Sequence, residues 1–275
     1  MFHGSGAARE QEQGKPSHRA PMLSSGAMPD PRDRFTDTAD NYEKFRPSYP
    51  PELIDWIVTV SGVSPGGRIV DVGCGTGIST RLFAGRGFDV VGVDPNEEML
   101  KRAIRAGGAE YRKGEAAATG LDDRSVDVIV GGQAFHWFDI EASFREFRRI
   151  LKPSGWCAAF WNVRSTTGAF LEDYESTLRR HSADYASIGA HDDDVARIRA
   201  LPQVKAAREA VFANRQSLDF AGILGRAWSS SYVVHGVKDR GAFDADLKTA
   251  FERHQENGAV DFVYRTEVIA WRFDY

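Results

Sequence analysis

Asp71, Gly73, Gly75 and Gly77 lie in or just after the apolar run that opens at Ile69, and a second acid, Asp94, closes the next run, Val90-Val91-Gly92-Val93. Glycines at alternate positions let a backbone pass close to a ligand with no Cβ in the way. An acid at the tip of the following strand is placed to take the two hydroxyls of a ribose. The pairing describes a nucleoside-binding α/β domain, whose ligands lie beyond the carboxyl ends of its strands.

The glycine register separates two nucleosides. A dinucleotide loop reads G-x-G-x-x-G, but counting from Gly73 places Ile78 at the third glycine, and counting from Gly75 places Thr80 there. Asp71 is also a poor neighbour for a pyrophosphate and suits a cationic amino-acid head. Acid-x-Gly-x-Gly-x-Gly resembles motif I of the class I S-adenosylmethionine (SAM) dependent methyltransferases. Further motifs are similar to a bacterial and fungal subgroup that includes trans-aconitate methyltransferase-like enzymes. They are Tyr42-x-x-x-Arg46-Pro47-x-Tyr49-Pro50, Gln133-Ala134-Phe135-His136-Trp137-Phe138, Lys152-Pro153-x-Gly155 and Ser229-Ser230-Ser231-Tyr232.

The resemblance implies a Rossmann-like, doubly wound α/β sheet, mostly parallel with an antiparallel last strand. It implies SAM as cofactor and a small-molecule acceptor methylated most readily on oxygen, carboxylate or hydroxyl. It also places Glu115 near the exocyclic amine of adenine, with Asp122 a weaker competitor; a solvated Glu115 is the plainer reading. Tyr42, Arg46, Asp71, Gly73, Gly75, Thr76, Gly77, Asp94, Pro95, Glu115, Ala116 and Gln133 form the candidate cofactor set. In that set Arg46 is the natural partner of the methionyl carboxylate, or else a surface ion-pair residue. Two competing classes are a SAM-binding protein without transfer activity and an NAD-dependent oxidoreductase.

His136 and Trp137 follow the fourth expected strand at the mouth of the site. His136 is read as a general base, as an orienting wall of the pocket, or as a structural histidine among Phe135, Trp137 and Phe138. Methyl transfer from a sulfonium needs alignment and a dry site more than a nucleophile. An ionised acceptor therefore needs donors to orient it, for which Trp161, Asn162, Arg164 and Tyr232 are candidates beside His136. No metal is expected: His191-Asp192-Asp193-Asp194 reads as a solvated turn. Ser229-Ser230-Ser231 with His235 lacks a hydrolase elbow.

These residues need a scaffold. The chain has 275 residues, 42% hydrophobic and 27% charged, with a formal net charge of −4, enough for one full core and without a broad basic surface. Nucleic acid is thus not an expected partner, and the oligomeric state is open. Two cysteines, Cys74 and Cys157, read as reduced thiols of a cytoplasmic protein. No run approaches the roughly 18 apolar residues of a membrane helix. Residues 1–33, rich in Gly, Ser, Pro, Arg and Gln, are expected to be a disordered extension, and 34–275 the methyltransferase domain. Helical and two-residue periodicities alternate from Leu53 to Trp161, with Lys152-Pro153-Ser154-Gly155 expected as a turn before the fifth strand. A helical cap insertion is expected over about 163–203, then a sixth strand, two helices and a last strand within Val260–Phe273.

Overall fold

A computed structural model describes residues 44–183, 185 and 192–274. Helix α1 (Pro51–Ser61) starts with proline in its first turn and stops at Gly62, whose positive φ no other residue adopts as cheaply. Then follow β1 (Arg68–Val72), α2 (Ile78–Ala84), β2 (Asp89–Asp94), α3 (Glu97–Ala106), β3 (Glu110–Lys113), β4 (Val126–Gly132), a 3₁₀ turn (Phe135–Trp137), α4 (Ile140–Ile150) and β5 (Leu151–Arg164). Beyond them lie α5 (Ala169–His181), α6 (Asp192–Arg199), β6 (Lys205–Leu218), α7 (Phe220–Trp228), α8 (Ser231–Gly236), α9 (Arg240–His254) and β7 (Val260–Arg272).

The seven strands form one sheet in the order β3-β2-β1-β4-β5-β7-β6. Strands β1 to β5 are parallel to one another, and β7 runs antiparallel to both β5 and β6. This is the doubly wound sheet, with its antiparallel last strand, that the resemblance implied. The order reverses at β1, and the glycine loop leaves that strand at the switch point, where α/β sheets open their ligand crevice.

Helices cover the sheet because their apolar faces have nowhere else to go. α4 buries Phe144, Phe147 and Ile150 with Phe135 and Trp271, while α1 buries Leu53, Ile54 and Ile57 on the opposite side with Val128 and Phe160. A third cluster joins α5 (Phe170, Tyr174, Leu178) to α7 and α9 (Ile223, Phe243, Leu247) over Phe262 and Tyr264 of β7. The helical layer over this end therefore continues through residue 254, well past the 163–203 segment.

One local expectation is corrected. Lys152-Pro153-Ser154-Gly155 is a bulged beginning of β5 rather than a turn before it. Val126 faces Leu151 and Val128 faces Trp156, so the extra residues loop out within the ladder. Ile104 points outward, 60% exposed, because α3 turns only Met99, Leu100 and Ala103 inward. Glu97 pairs across to Lys113 of β3, while Lys101 and Arg102 share Glu98.

Tyr111 of β3 fills the space over the first crossover. A Cβ on Gly92 would sit 2.6 Å from its ring, and one on Gly77 would sit 2.5 Å from its hydroxyl. Gly92→Ala is therefore expected to lower unfolding free energy by about 1–3 kcal/mol through overpacking. Adding Tyr111→Leu should recover part of the loss in urea denaturation. Additive losses in the double variant would contradict this packing account.

Candidate cofactor site

The loop after β1 is registered against β2 by its own backbone. The N–H groups of Gly73 and Cys74 both donate to Val93 O, at 2.8 and 3.2 Å. One residue on, Gly75 N–H donates to Asp94 Oδ2 at 2.8 Å, and Asn96 N–H donates to Asp94 Oδ1 at 2.8 Å. Asn96 then turns its side chain to cap α3, accepting from Glu98 and Met99 N–H. Each Asp94 oxygen thus takes one backbone donor and keeps a second acceptor site. The carboxyl is 8% exposed, and burial raises its pKa against those two hydrogen bonds.

Asp94 stands on the wall of a cavity of about 340 Å³ at the carboxyl ends of β1, β2 and β4, within the size range of small-ligand sites, roughly 300–1,000 Å³. Gly73, Gly75, Pro95, Glu115, Ala116 and Gln133 of the candidate cofactor set line it, and so does Trp137 of the acceptor set. Gly75, at φ +55°, has nothing within 4 Å of where a Cβ would stand, while one on Gly73 would strike Ala134 at 2.6 Å. Gln133 holds a left-handed φ of +57°, unusual for a side-chain-bearing residue, and is fixed by N–H to Phe160 O and Nε2 to Asn162 O.

Sequence reasoning left out Asn96, Met99, Phe138, Asp139 and Ser143, which complete the walls. Met99 carried a signal in its helical spacing, but that spacing also fits a core residue. Ser143 Oγ is buried with no hydrogen-bond partner, so one edge of the cavity offers an unused donor and acceptor. The lining holds three carboxylates, Asp94, Glu115 and Asp139, and among the described residues no lysine or arginine. That charge suits a cationic or neutral nucleoside and opposes a pyrophosphate.

The other candidates sit elsewhere. Asp71 is fully buried behind the loop, where Oδ2 accepts from Ser79 Oγ at 2.7 Å and Thr80 Oγ1 at 2.6 Å and Oδ1 has no partner. Thr76 is buried away from the cavity and gives its carbonyl to Arg81, and Gly77 starts α2 against Tyr111. Arg46 donates Nη2 to Ser229 O at 3.0 Å, at the end of α7. Asp122 lies exposed in the loop before β4. Tyr42, His191 and residues 1–33 lie outside the described residues.

His136 stands one residue behind the lining. Its ring tilts against Trp137 at 4.8 Å, and Nδ1 lies 3.9 Å from Asp194 Oδ2 of α6. Trp161 is 1% exposed in the core behind Phe135. Asn162 is a staple: Oδ1 accepts from Thr266 and Asn214, and Nδ2 donates to Ser48 O. The Tyr232 ring packs tilted against Tyr185, 4.9 Å between centroids, in the helical layer. The acceptor candidates are therefore not gathered at one place, and Trp137 alone of them lines the cavity.

Burial pushes the Asp71 carboxyl up to about 6 from its ordinary 3.8, with the Asp94 charge adding and the Thr80 and Ser79 hydroxyls opposing. Between those values the folded protein holds a proton that the unfolded chain has released. Stability then falls as pH rises from about 4 to about 6, by up to about 3 kcal/mol for this one buried group. Asp71→Asn should remove that fall in urea melts at a series of pH values. A parent-minus-variant difference that is flat or rises through the window would contradict it.

Residues 70–159 match the methyltransferase domain family. An uncharacterized methyltransferase of Schizosaccharomyces pombe is 35% identical over 53% of this chain and 58% of its own length. One of Mycobacterium tuberculosis is 41% identical over 53% and 59%. The chain thus spans under two thirds of the curated relatives it matches. A structure from Anaeromyxobacter dehalogenans, provisionally described as a type II methyltransferase, is 26% identical with a TM-score of 0.64, covering 83% of this chain and 98% of that one. The phosphoethanolamine N-methyltransferase 2 of Haemonchus contortus, solved with S-adenosylhomocysteine, shares the fold at a TM-score of 0.53, 15% identity, 90% of this chain and 59% of its own. By sequence, residues 70–159 match a methyltransferase domain family, and the sheet that carries them is shared with the Anaeromyxobacter dehalogenans structure.

Proposed function

We propose that the whole chain transfers a methyl group from SAM to a small molecule, with oxygen as the acceptor atom. The observation that carries this reading is Asp94, a carboxylate on the cavity wall with one free acceptor site on each oxygen. Two vicinal ribose hydroxyls fill those sites, and charge-assisted bonds are the strong ones. Ser143 Oγ, buried without a partner, and the apolar Met99 and Ala116 suit the flat edge of an adenine, with Glu115 beside them. The three lining carboxylates favour a positively charged ligand, and Trp137 and Phe138 exclude water.

When bound, SAM supplies a methyl group on a sulfonium that departs as a neutral thioether. The chain's task is to hold the two partners in line in a dry cavity, which can lower a barrier by roughly 7–11 kcal/mol. An ionised acceptor oxygen needs no base. In keeping with that, His136 lies behind the lining and faces Asp194, which favours an orienting role. A carboxylate or hydroxyl acceptor fits the trans-aconitate-like motifs around Gln133 and Ser229.

Asp94→Ala should weaken SAM binding about a hundredfold or more, since it removes two charge-assisted hydrogen bonds of about 1.5–3 kcal/mol each. Calorimetric titration of folded variant checks this, and an affinity within threefold of the parent would refute the ribose assignment. His136→Gln should keep turnover within a few-fold, with no new pH dependence between about pH 6 and 9. A loss of about a hundredfold rescued at high pH would make His136 the base and remove the ionised-acceptor reading.

A further inference from the structure

A second polar site lies under the helical layer, apart from the SAM cavity. Arg226 of α7 is 6% exposed. Its Nε donates to the Tyr264 hydroxyl at 3.2 Å and its Nη1 to Ser230 Oγ at 3.0 Å. Nη2 has no partner among the described residues. The ionisable side chains around this guanidinium are the phenols of Tyr264, Tyr232 and Tyr174, and among the described residues no carboxylate pairs with it. Glu175, on the neighbouring helix, is already taken by Arg164 and Arg179, each at 2.8 Å, and by the Tyr185 hydroxyl at 2.6 Å.

A buried cation without a counter-ion is costly, and proteins pair such charges or give them a ligand. The same cluster holds a second unmet group: the Tyr174 hydroxyl is buried with no hydrogen-bond partner. The Arg164 guanidinium covers the other side of the Tyr174 ring, 4.9 Å from its centroid. One unused cationic donor and one unused hydroxyl therefore occupy a single tyrosine-lined cluster.

Its place in the fold connects it to methyl transfer. Gln133, on the cavity wall, donates to Asn162 O. Arg164 is two residues farther along β5, roughly 7 Å on and on the same face, and its partner across the ladder is Tyr264. The segment from Phe45 to Tyr49 spans the same gap. The Phe45 ring lies against Gly225, and the Tyr49 hydroxyl lies beside Gly132 of the cavity wall. Both sites thus lie toward the carboxyl ends of β4 and β5.

We infer that Arg226 and Tyr174 bind an anionic group, carboxylate or phosphate, of the methyl acceptor and so select which molecules are methylated. The inference rests on the transferase reading for the acceptor's role, but anion binding itself does not require SAM. An anion between these two groups supplies the counter-charge that the cluster lacks and the acceptor that the Tyr174 hydroxyl lacks.

Titration of the full chain with sodium succinate, sodium phosphate or sodium chloride at matched ionic strength tests it, by calorimetry and thermal shift. Saturable binding of succinate or phosphate, absent with chloride, is expected, and the stronger of the two identifies the anion. Tyr174→Phe should weaken it about tenfold and Arg226→Gln should abolish it. Tyr174→Phe decides the matter even if Arg226→Gln does not fold, because removing an unpartnered buried hydroxyl does not weaken the free protein. A purely structural cluster predicts unchanged anion affinity in Tyr174→Phe. No response beyond chloride, or an anion affinity that survives either substitution, overturns the inference. SAM titration of the same samples separates the two readings: failure to bind SAM sinks the transferase reading alone.

Discussion

Two backbone N–H groups, from Gly75 and Asn96, converge on the Asp94 carboxylate, and much of the site follows from that convergence. One bond fixes the glycine loop of β1 to the tip of β2, and the other fixes the entry to α3. With the paired donation of Gly73 and Cys74 to Val93 O, the loop has a single register. A carboxylate held by one donor per oxygen cannot turn away from the cavity, and it still has acceptor capacity to offer. Loop, strand tip and helix cap are thus one rigid unit before any ligand arrives.

That rigidity has a cost that the buried acids reveal. Asp71 lies behind the same loop with one oxygen unpartnered, close enough for the Asp94 charge to raise its pKa further. A carboxyl in that position destabilises the folded state when ionised, and its negative charge behind the loop favours a cation in front. Tyr111 performs the complementary task, filling the volume that Gly77 and Gly92 leave open. Two of the glycines near the motif are therefore there for an aromatic ring, and Gly75 is the one that faces open space.

The sheet was legible in the sequence because each strand and helix carries its own period and its own caps. Pro51, Gly62, Asn96 and Asp139 mark helix ends by local chemistry, and Asp71 to Gly77 followed by Asp94 fixes the crossover between them. The cofactor half of the site was legible for the same reason, since it is built from backbone conformations at strand tips. What stayed hidden depends on distant partners. Asn162 looks like a ligand donor until Ser48, Asn214 and Thr266 are seen to occupy it. Arg226 gives no sign of its burial, because the tyrosines around it come from residues 174, 232 and 264. The bulge at Lys152-Pro153-Ser154-Gly155 has turn composition, yet its ends pair with Val126 and Val128. The match to the methyltransferase domain family, residues 70–159, stops before the helical layer where acceptor selection is proposed to lie.

On the proposed reading this cavity takes SAM and not a dinucleotide. Among the described residues its lining has three carboxylates and no basic residue. Equilibrium dialysis of the full chain against radiolabelled SAM and radiolabelled NAD, side by side, tests it most directly. One equivalent of bound SAM, displaced by S-adenosylhomocysteine, is expected, with no saturable NAD binding. Saturable NAD binding without SAM binding would contradict it.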